Sequence, residues 1–174
     1  MNPGAEVSNR GFLLVLSGPS GAGKGTVLRR ILAEQPDVEL SVSATTRKPR
    51  AGELNGREYY FMSTEDFRSH IERGSFLEWA QVYGNYYGTP RPHVVERLSA
   101  GKIVVLEIDT QGAKSIMDQN PAELVTVFIT PSQGDSLKQR LLHRGSEGPV
   151  DMTQRLANAP VELLDLPRFD YLVL

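Results

Sequence analysis

The chain has 174 residues, enough for one domain with a sizeable core and room for small inserted lobes. Apolar residues make up 40% and charged residues 23%, and a net charge of −2 excludes a generally basic, nucleic-acid-coating surface. Cysteine is absent, which excludes disulfides and thiolate metal sites and fits a reducing, cytoplasmic compartment, and no apolar run approaches the roughly 18 residues of a membrane span.

Residues Met1 to Arg10 are polar, contain Pro3 and Gly4, and read as a flexible tail rather than a signal peptide. The apolar run Phe12–Leu16 then predicts a buried strand. It is followed by Gly18-Pro19-Ser20-Gly21-Ala22-Gly23-Lys24-Gly25-Thr26 and a helical pattern over about 25–34. Strand, glycine-rich turn and helix start come in the order a nucleotide phosphate needs. Glycines let backbone N–H groups close on the anion, the helix N-terminus adds partial positive charge, and Lys24 reaches the terminal phosphates. The plainer reading is a glycine-rich turn with a surface lysine. A P-loop asks for Ser or Thr directly after the lysine, whereas Gly25 stands there and the hydroxyl comes one place later on Thr26. Magnesium is therefore expected to lean on water and carboxylates.

Val38–Val42 predicts the next strand. About 44–90 differs from what flanks it, being polar, aromatic and rich in turn signals such as Pro49, Gly52, Asn55-Gly56 and Gly84-Asn85. A helix near Thr64–Arg73, opened by a Ser63 or Thr64 cap, interrupts it. This predicts an inserted lobe. Within it, Ser43-Ala44-Thr45-Thr46-Arg47-Lys48-Pro49-Arg50 concentrates cations on a segment that Pro49 keeps non-helical. The segment is either a solvated basic loop or a phosphate clamp, in which Arg47 and Arg50 offer planar forks and Tyr59 and Tyr87 add hydroxyl donors. Phe76-Leu77-Glu78-Trp79-Ala80 sets an acid in an apolar stretch. On a strand, Glu78 shares a face with Phe76 and Ala80, opposite Leu77 and Trp79. It is either an edge glutamate in solvent or an acceptor for the adjacent N1–H and amino donors of guanine, a pair that adenine lacks on that edge.

Further strands are expected at Ile103–Ile108, Val125–Ile129 and Tyr171–Leu174, with helices over about 91–100, 111–119, 134–143 and 151–165. Strand–helix alternation of this kind predicts a parallel sheet covered on both faces. Glu107 and Asp109 close a buried strand and are expected to point to opposite faces, one towards a metal through water and one towards the acceptor. Arg140 and Arg144 share a helix face. Gly145, Gly148 and Pro149 then break the pattern before Arg155, which predicts a small lid over about 144–155 that brings cations to a transferring phosphoryl group.

Taken in order and spacing, these segments resemble guanylate kinase over nearly the whole chain. Ala51-Gly52-Glu53, Asn55-Gly56-Arg57-Glu58-Tyr59-Tyr60-Phe61 and Gly84-Asn85-Tyr86-Tyr87-Gly88-Thr89-Pro90 carry the resemblance together with the segments already quoted. It implies an α/β P-loop three-layer sandwich: a core of 11–43 and 91–174 with a parallel central sheet, an inserted GMP-binding lobe and a small lid. The implied reaction is ATP + GMP ⇌ ADP + GDP with Mg2+, in purine nucleotide metabolism, on small-molecule substrates and without nucleic acid or membrane. The resemblance implies that Gly18 to Thr26 bind ATP. Arg47, Arg50, Tyr59 and Tyr87 would hold the GMP phosphate, Ser43, Glu78, Thr89 and Asp109 would read guanine, and Glu107 would lie near the metal. Lys24, Arg140, Arg144 and Arg155, with Arg47, would stabilise charge during transfer. Family members usually continue past the last strand with an asparagine-containing turn against adenine and a final helix. Here the sequence stops at Leu174, so a sheet face is expected to be exposed. Two other readings stand beside this one: a non-catalytic binding module of guanylate-kinase-like type, which typically has a degraded P-loop, and a related small-phosphate kinase.

Overall fold

The first apolar run forms a strand because its residues are apolar or small on both faces, as burial on both sides requires. The structure, a computed structural model, describes residues 11–131 and 160–174. In chain order these contain β1 (Leu13–Ser17), α1 (Lys24–Glu34), β2 (Val38–Leu40), β3 (Ala44–Thr45), β4 (Tyr60–Phe61), α2 (Thr64–Glu72) and β5 (Phe76–Val82). There follow β6 (Asn85–Pro90), α3 (Arg91–Ser99), β7 (Ile103–Glu107), α4 (Thr110–Gln119), β8 (Leu124–Ile129) and β9 (Tyr171–Val173).

Strands β2-β7-β1-β8-β9 make a five-stranded sheet whose pairings are all parallel. Alternation along β1 and β7 sorts the core into two layers. Val15, Val104 and Leu106 pack on one face against Val94 of α3 and Ala113 and Ile116 of α4. Leu16 and Val105 face the other way, against Leu28 of α1. That is the expected covered parallel sheet. On β9, Tyr171, Leu172 and Val173 are all exposed.

The lobe is a second sheet, ordered β4-β3-β6-β5. Its hairpin β5–β6 turns at Tyr83 and Gly84, with φ of 48° and 80°, the doubly positive geometry that suits tight hairpins. Phe67 of α2 stacks on Phe76 at 4.4 Å between ring centres and closes the lobe's small core with Ala44. Ser63, not Thr64, caps α2: its Oγ accepts from the Asp66 N–H at 3.0 Å. The single strand expected over 38–42 is shorter, covering Val38–Leu40. Beyond it the Ser41 N–H still donates to Val105 O of β7 at 2.9 Å, and the chain re-enters pairing at Ala44 in the lobe sheet. The tail, the 134–143 helix, most of the 151–165 helix and the 144–155 lid, with Arg140, Arg144 and Arg155, lie outside the described residues.

Candidate functional site

The loop after β1 starts α1 without help from a side chain. Gly23 is the N-cap at φ 101°, no side-chain cap is present, and Thr26 and Val27 donate their N–H groups back to Gly23 O. An L-residue at that φ is strained, which accounts for glycine at this point of the loop. Lys24 Nζ donates to Gly18 O at 2.5 Å and to Pro19 O at 3.3 Å, so the ammonium is folded over the mouth of its own loop. Gly25 lies beside the end of β7. A Cβ built on it would sit 3.6 Å from Glu107 Oε1.

A cleft of about 250 Å³ joins this loop to the lobe. Gly18, Ser20 and Lys24 line it from the core, and Ser43, Arg47, Arg50, Tyr59 and Tyr87 from the lobe. Glu78, Glu107 and Asp109 complete the sequence-predicted set on its walls. Thr89 is fully buried behind it, and Pro19 is buried under the loop. Gly21, Ala22, Gly23 and Thr26 turn to a second cleft with Ile129 and Val173.

The cationic segment is held in place by an acid. Arg47 Nη1 and Nη2 donate to Glu53 Oε2 and Oε1 at 3.0 and 2.9 Å, a bidentate pair. Arg50 N also donates to Glu53 Oε2 at 2.7 Å. The Arg47 hydrogen bonds, opposed by burial and helped by Arg50 N–H, hold the Glu53 carboxyl below its ordinary pKa. Burial acts to lower the Arg47 pKa, but the Glu53 bond and charge outweigh it and leave the guanidinium raised. Arg47 also lies over the Tyr59 ring at 5.4 Å. Burial pushes the Tyr59 hydroxyl above its ordinary pKa, so it is a neutral donor.

Alternation on β5 places Phe76, Glu78 and Ala80 inward and leaves Trp79 exposed. Glu78 is 5% exposed, and its Oε1 accepts from Thr89 Oγ1 at 2.6 Å. Burial, assisted by the nearby Asp109 charge and opposed by the Thr89 bond, raises the Glu78 pKa to about 7. Asp109 caps α4, its Oδ1 accepting from the Gly112 N–H at 2.9 Å. Its pKa is raised by burial, against the Gly112 N–H and the Lys24 charge. Glu107 and Asp109 do not take opposite faces of one strand, as alternation was expected to place them. Residues two apart share a strand face. They serve different places because β7 ends at Glu107, beside the loop, and Asp109 belongs to the start of α4.

The buried Glu78 carboxyl makes folding stability depend on pH. A carboxyl whose folded pKa is raised binds its proton more tightly when folded. Its contribution to stability is thus fully present below the unfolded value of 4.5 and is lost as pH rises through about 7. Glu78→Gln stays neutral throughout and should be more stable than the parent at pH 8 by up to about 3 kcal/mol, with the gap closing at pH 5. Urea unfolding at both pH values measures this, and an equal gap at both would contradict a buried, titrating Glu78. Thr89→Val removes the hydroxyl donor and should cost about 1–3 kcal/mol at pH 8, less at pH 5 where Glu78 is protonated. The same unfolding curves report it.

Glu162 and the pairing role of Glu53 escaped the sequence reading. Glu162 lies on the helical turn 160–163 and lines the cleft. Its pKa is raised by burial and by Asp109, against the Lys24 charge. The available signal was the one that exposed Glu78, an acid between apolar residues, here Val161 and Leu163. For Glu53 it was an acid three places after Arg50.

The sequence model of the family described as guanylate kinase matches residues 10–174. Guanylate kinase from Symbiobacterium thermophilum is 48% identical over 164 residues, 94% of this chain and 77% of that protein. Guanylate kinase from Caldanaerobacter subterraneus subsp. tengcongensis is 45% identical over 169 residues, 97% of this chain and 82% of that protein. The crystal structure of guanylate kinase from Anaplasma phagocytophilum superposes with a TM-score of 0.77 at 33% identity, covering 94% of this chain and 76% of that one.

Proposed function

The chain belongs to the guanylate kinase family, and from that premise we propose how its cleft divides the transfer of the terminal phosphoryl group of ATP to GMP among its residues. The observation that carries the reading is one cleft lined both by the loop lysine and by the buried acid of the lobe. Lys24 marks the donor end. Glu78 marks the acceptor end.

At the acceptor end, Arg50, Tyr59, Tyr87 and the Arg47 N–H groups not bonded to Glu53 or Lys48 O present donors to the GMP phosphate, while Glu53 holds the Arg47 guanidinium in place. Glu78, as a carboxylate, accepts from guanine N1–H and the exocyclic amino group. Ser43, Thr89 and Asp109 support that contact, Thr89 through its bond to Glu78. Adenine offers no donor pair there and would leave a buried carboxylate unsatisfied, which is a strong basis for rejection. At the donor end, the loop from Gly18 to Thr26 wraps the ATP phosphates, and the second cleft, walled by Ile129 and Val173, receives the nucleoside. A GMP phosphate oxygen attacks the terminal phosphorus in line. The bond from that phosphorus to the bridging oxygen breaks, and ADP leaves. No enzyme-bound phosphoryl intermediate is required, so positioning and electrostatics supply the acceleration. Lys24, with Arg140, Arg144 and Arg155, provides the cations.

Among the described residues no group of three or more His, Cys, Asp or Glu side chains is placed to hold a metal. Glu107 beside Gly25 offers one carboxylate next to the loop. That donor set fits Mg2+, which keeps several waters and takes one or two carboxylates plus substrate phosphates. When bound, the ion supplies neutralisation of the phosphate oxygens. No described helix is long and apolar enough to cross a membrane. A cytoplasmic place of action is part of this reading, in keeping with the cysteine-free composition.

The test is a coupled assay with ATP and Mg2+ that compares GMP, AMP, CMP and UMP as acceptors. GMP should exceed the others by at least about 10²-fold in kcat/KM. Absence of turnover with GMP would refute the assignment. The binding-module reading is not favoured, since Lys24 and the loop glycines are intact.

A further inference from the structure

Gly112 occupies the first turn of α4 with no positive φ to explain a glycine there. Helix propensity would prefer alanine at such a position. What the site lacks is room. A Cβ built on Gly112 would lie 2.6 Å from Glu78 Oε2 and 3.2 Å from Glu78 Cδ, and 3.4 Å from Asp109 Oδ1. The first of these is a distance real Cβ atoms essentially never show. Nor can Glu78 easily retreat. Its other oxygen is bonded to the buried Thr89, and Gln119 Nε2 of α4 donates to Leu77 O at 2.9 Å, which ties β5 to the same helix. Meanwhile the Gly112 N–H holds Asp109 by its Oδ1.

We propose that Gly112 is a positioning residue for guanine selection: its missing side chain seats the Glu78 carboxylate against α4, while its N–H fixes Asp109 beside it. A methyl group there drives the Glu78 carboxylate out of its seat towards the cleft, into space the base would use. This inference rests on the reading of Glu78 as the guanine acceptor.

Gly112→Ala should raise KM for GMP tenfold or more and leave KM for ATP within twofold. Glu78→Asp, one methylene shorter, withdraws the carboxylate from the added methyl. The double variant Gly112→Ala/Glu78→Asp should therefore have a KM for GMP within twofold of Glu78→Asp alone, a non-additivity that a purely structural glycine would not produce. Penalties that multiply would overturn the proposal. If Gly112→Ala fails to fold, restoration of folding by Glu78→Asp supports the proposal, and failure in both backgrounds overturns it. A silent Gly112→Ala beside a Glu78→Gln that raises KM for GMP overturns the proposal and leaves the guanine reading standing. Silence in both variants overturns both.

Discussion

Lys24→Ala should lower kcat by about 10²–10³-fold, the usual effect of removing one preorganised group that stabilises transition-state charge. The side chain stands at the first residue of α1 and is folded over Gly18 O and Pro19 O, at the mouth of the loop. Its charge opposes the burial that raises the Asp109 and Glu162 carboxyls, so it lies close to both acids. Lys24→Met, which keeps most of the aliphatic stem, separates loss of charge from loss of packing and should fall in the same range. Steady-state kinetics with both nucleotides saturating provide the measurement. Loss of the bonds to the two carbonyls should cost only about 1 kcal/mol of stability. A fall in kcat of less than tenfold with a native melting curve would remove Lys24 from the chemistry.

Glu78→Gln should lower kcat/KM for GMP by about 10²–10³-fold and leave KM for ATP within twofold. Bonds from a base to a charged acceptor contribute about 1.5–3 kcal/mol, and the amide turns a donor towards guanine's donors, which adds an unsatisfied pair. The two losses together give the stated range. The same change should stabilise the nucleotide-free protein above pH 7, because it removes the cost of burying an ionised acid. A variant that is both more stable and less able to use GMP is the mark of a site residue rather than a core residue. In the parent protein, kcat/KM for GMP should decline as pH falls below about 7, where Glu78 takes up its proton, and this limb should be absent in the variant. Equal losses with GMP and ATP would make Glu78 structural.

The elements with strong local patterns are legible in the sequence. Phe12–Leu16 and Ile103–Ile108 read as buried strands because both faces are covered, and α1 starts at Lys24, one residue before the helical pattern expected over about 25–34. The inward face of β5 followed from simple alternation, which placed Glu78 beside Phe76 and Ala80. Other features had no local signal. Nothing in Val38–Val42 marks where the chain passes from the core sheet to the lobe, because the switch is decided by β7 on one side and β6 on the other. The different settings of Glu107 and Asp109 come from a strand end and a helix cap, not from the period of a strand.

The sequence by itself determined the chemistry on offer: a glycine loop with Lys24, cations at Arg47 and Arg50, and an acid in an apolar stretch at Glu78. Those are properties of residue type and short spacing, which local sterics and charge make readable. Only the tertiary structure decided which partners these groups have. Glu53 grips Arg47, Thr89 holds one oxygen of Glu78 and Gly112 leaves room for the other, while Glu162 arrives from the far end of the chain. Burial sets the Glu78 pKa near 7, and burial is created by strands and helices distant in sequence. Chemistry is encoded residue by residue, whereas its tuning depends on contacts that only folding creates.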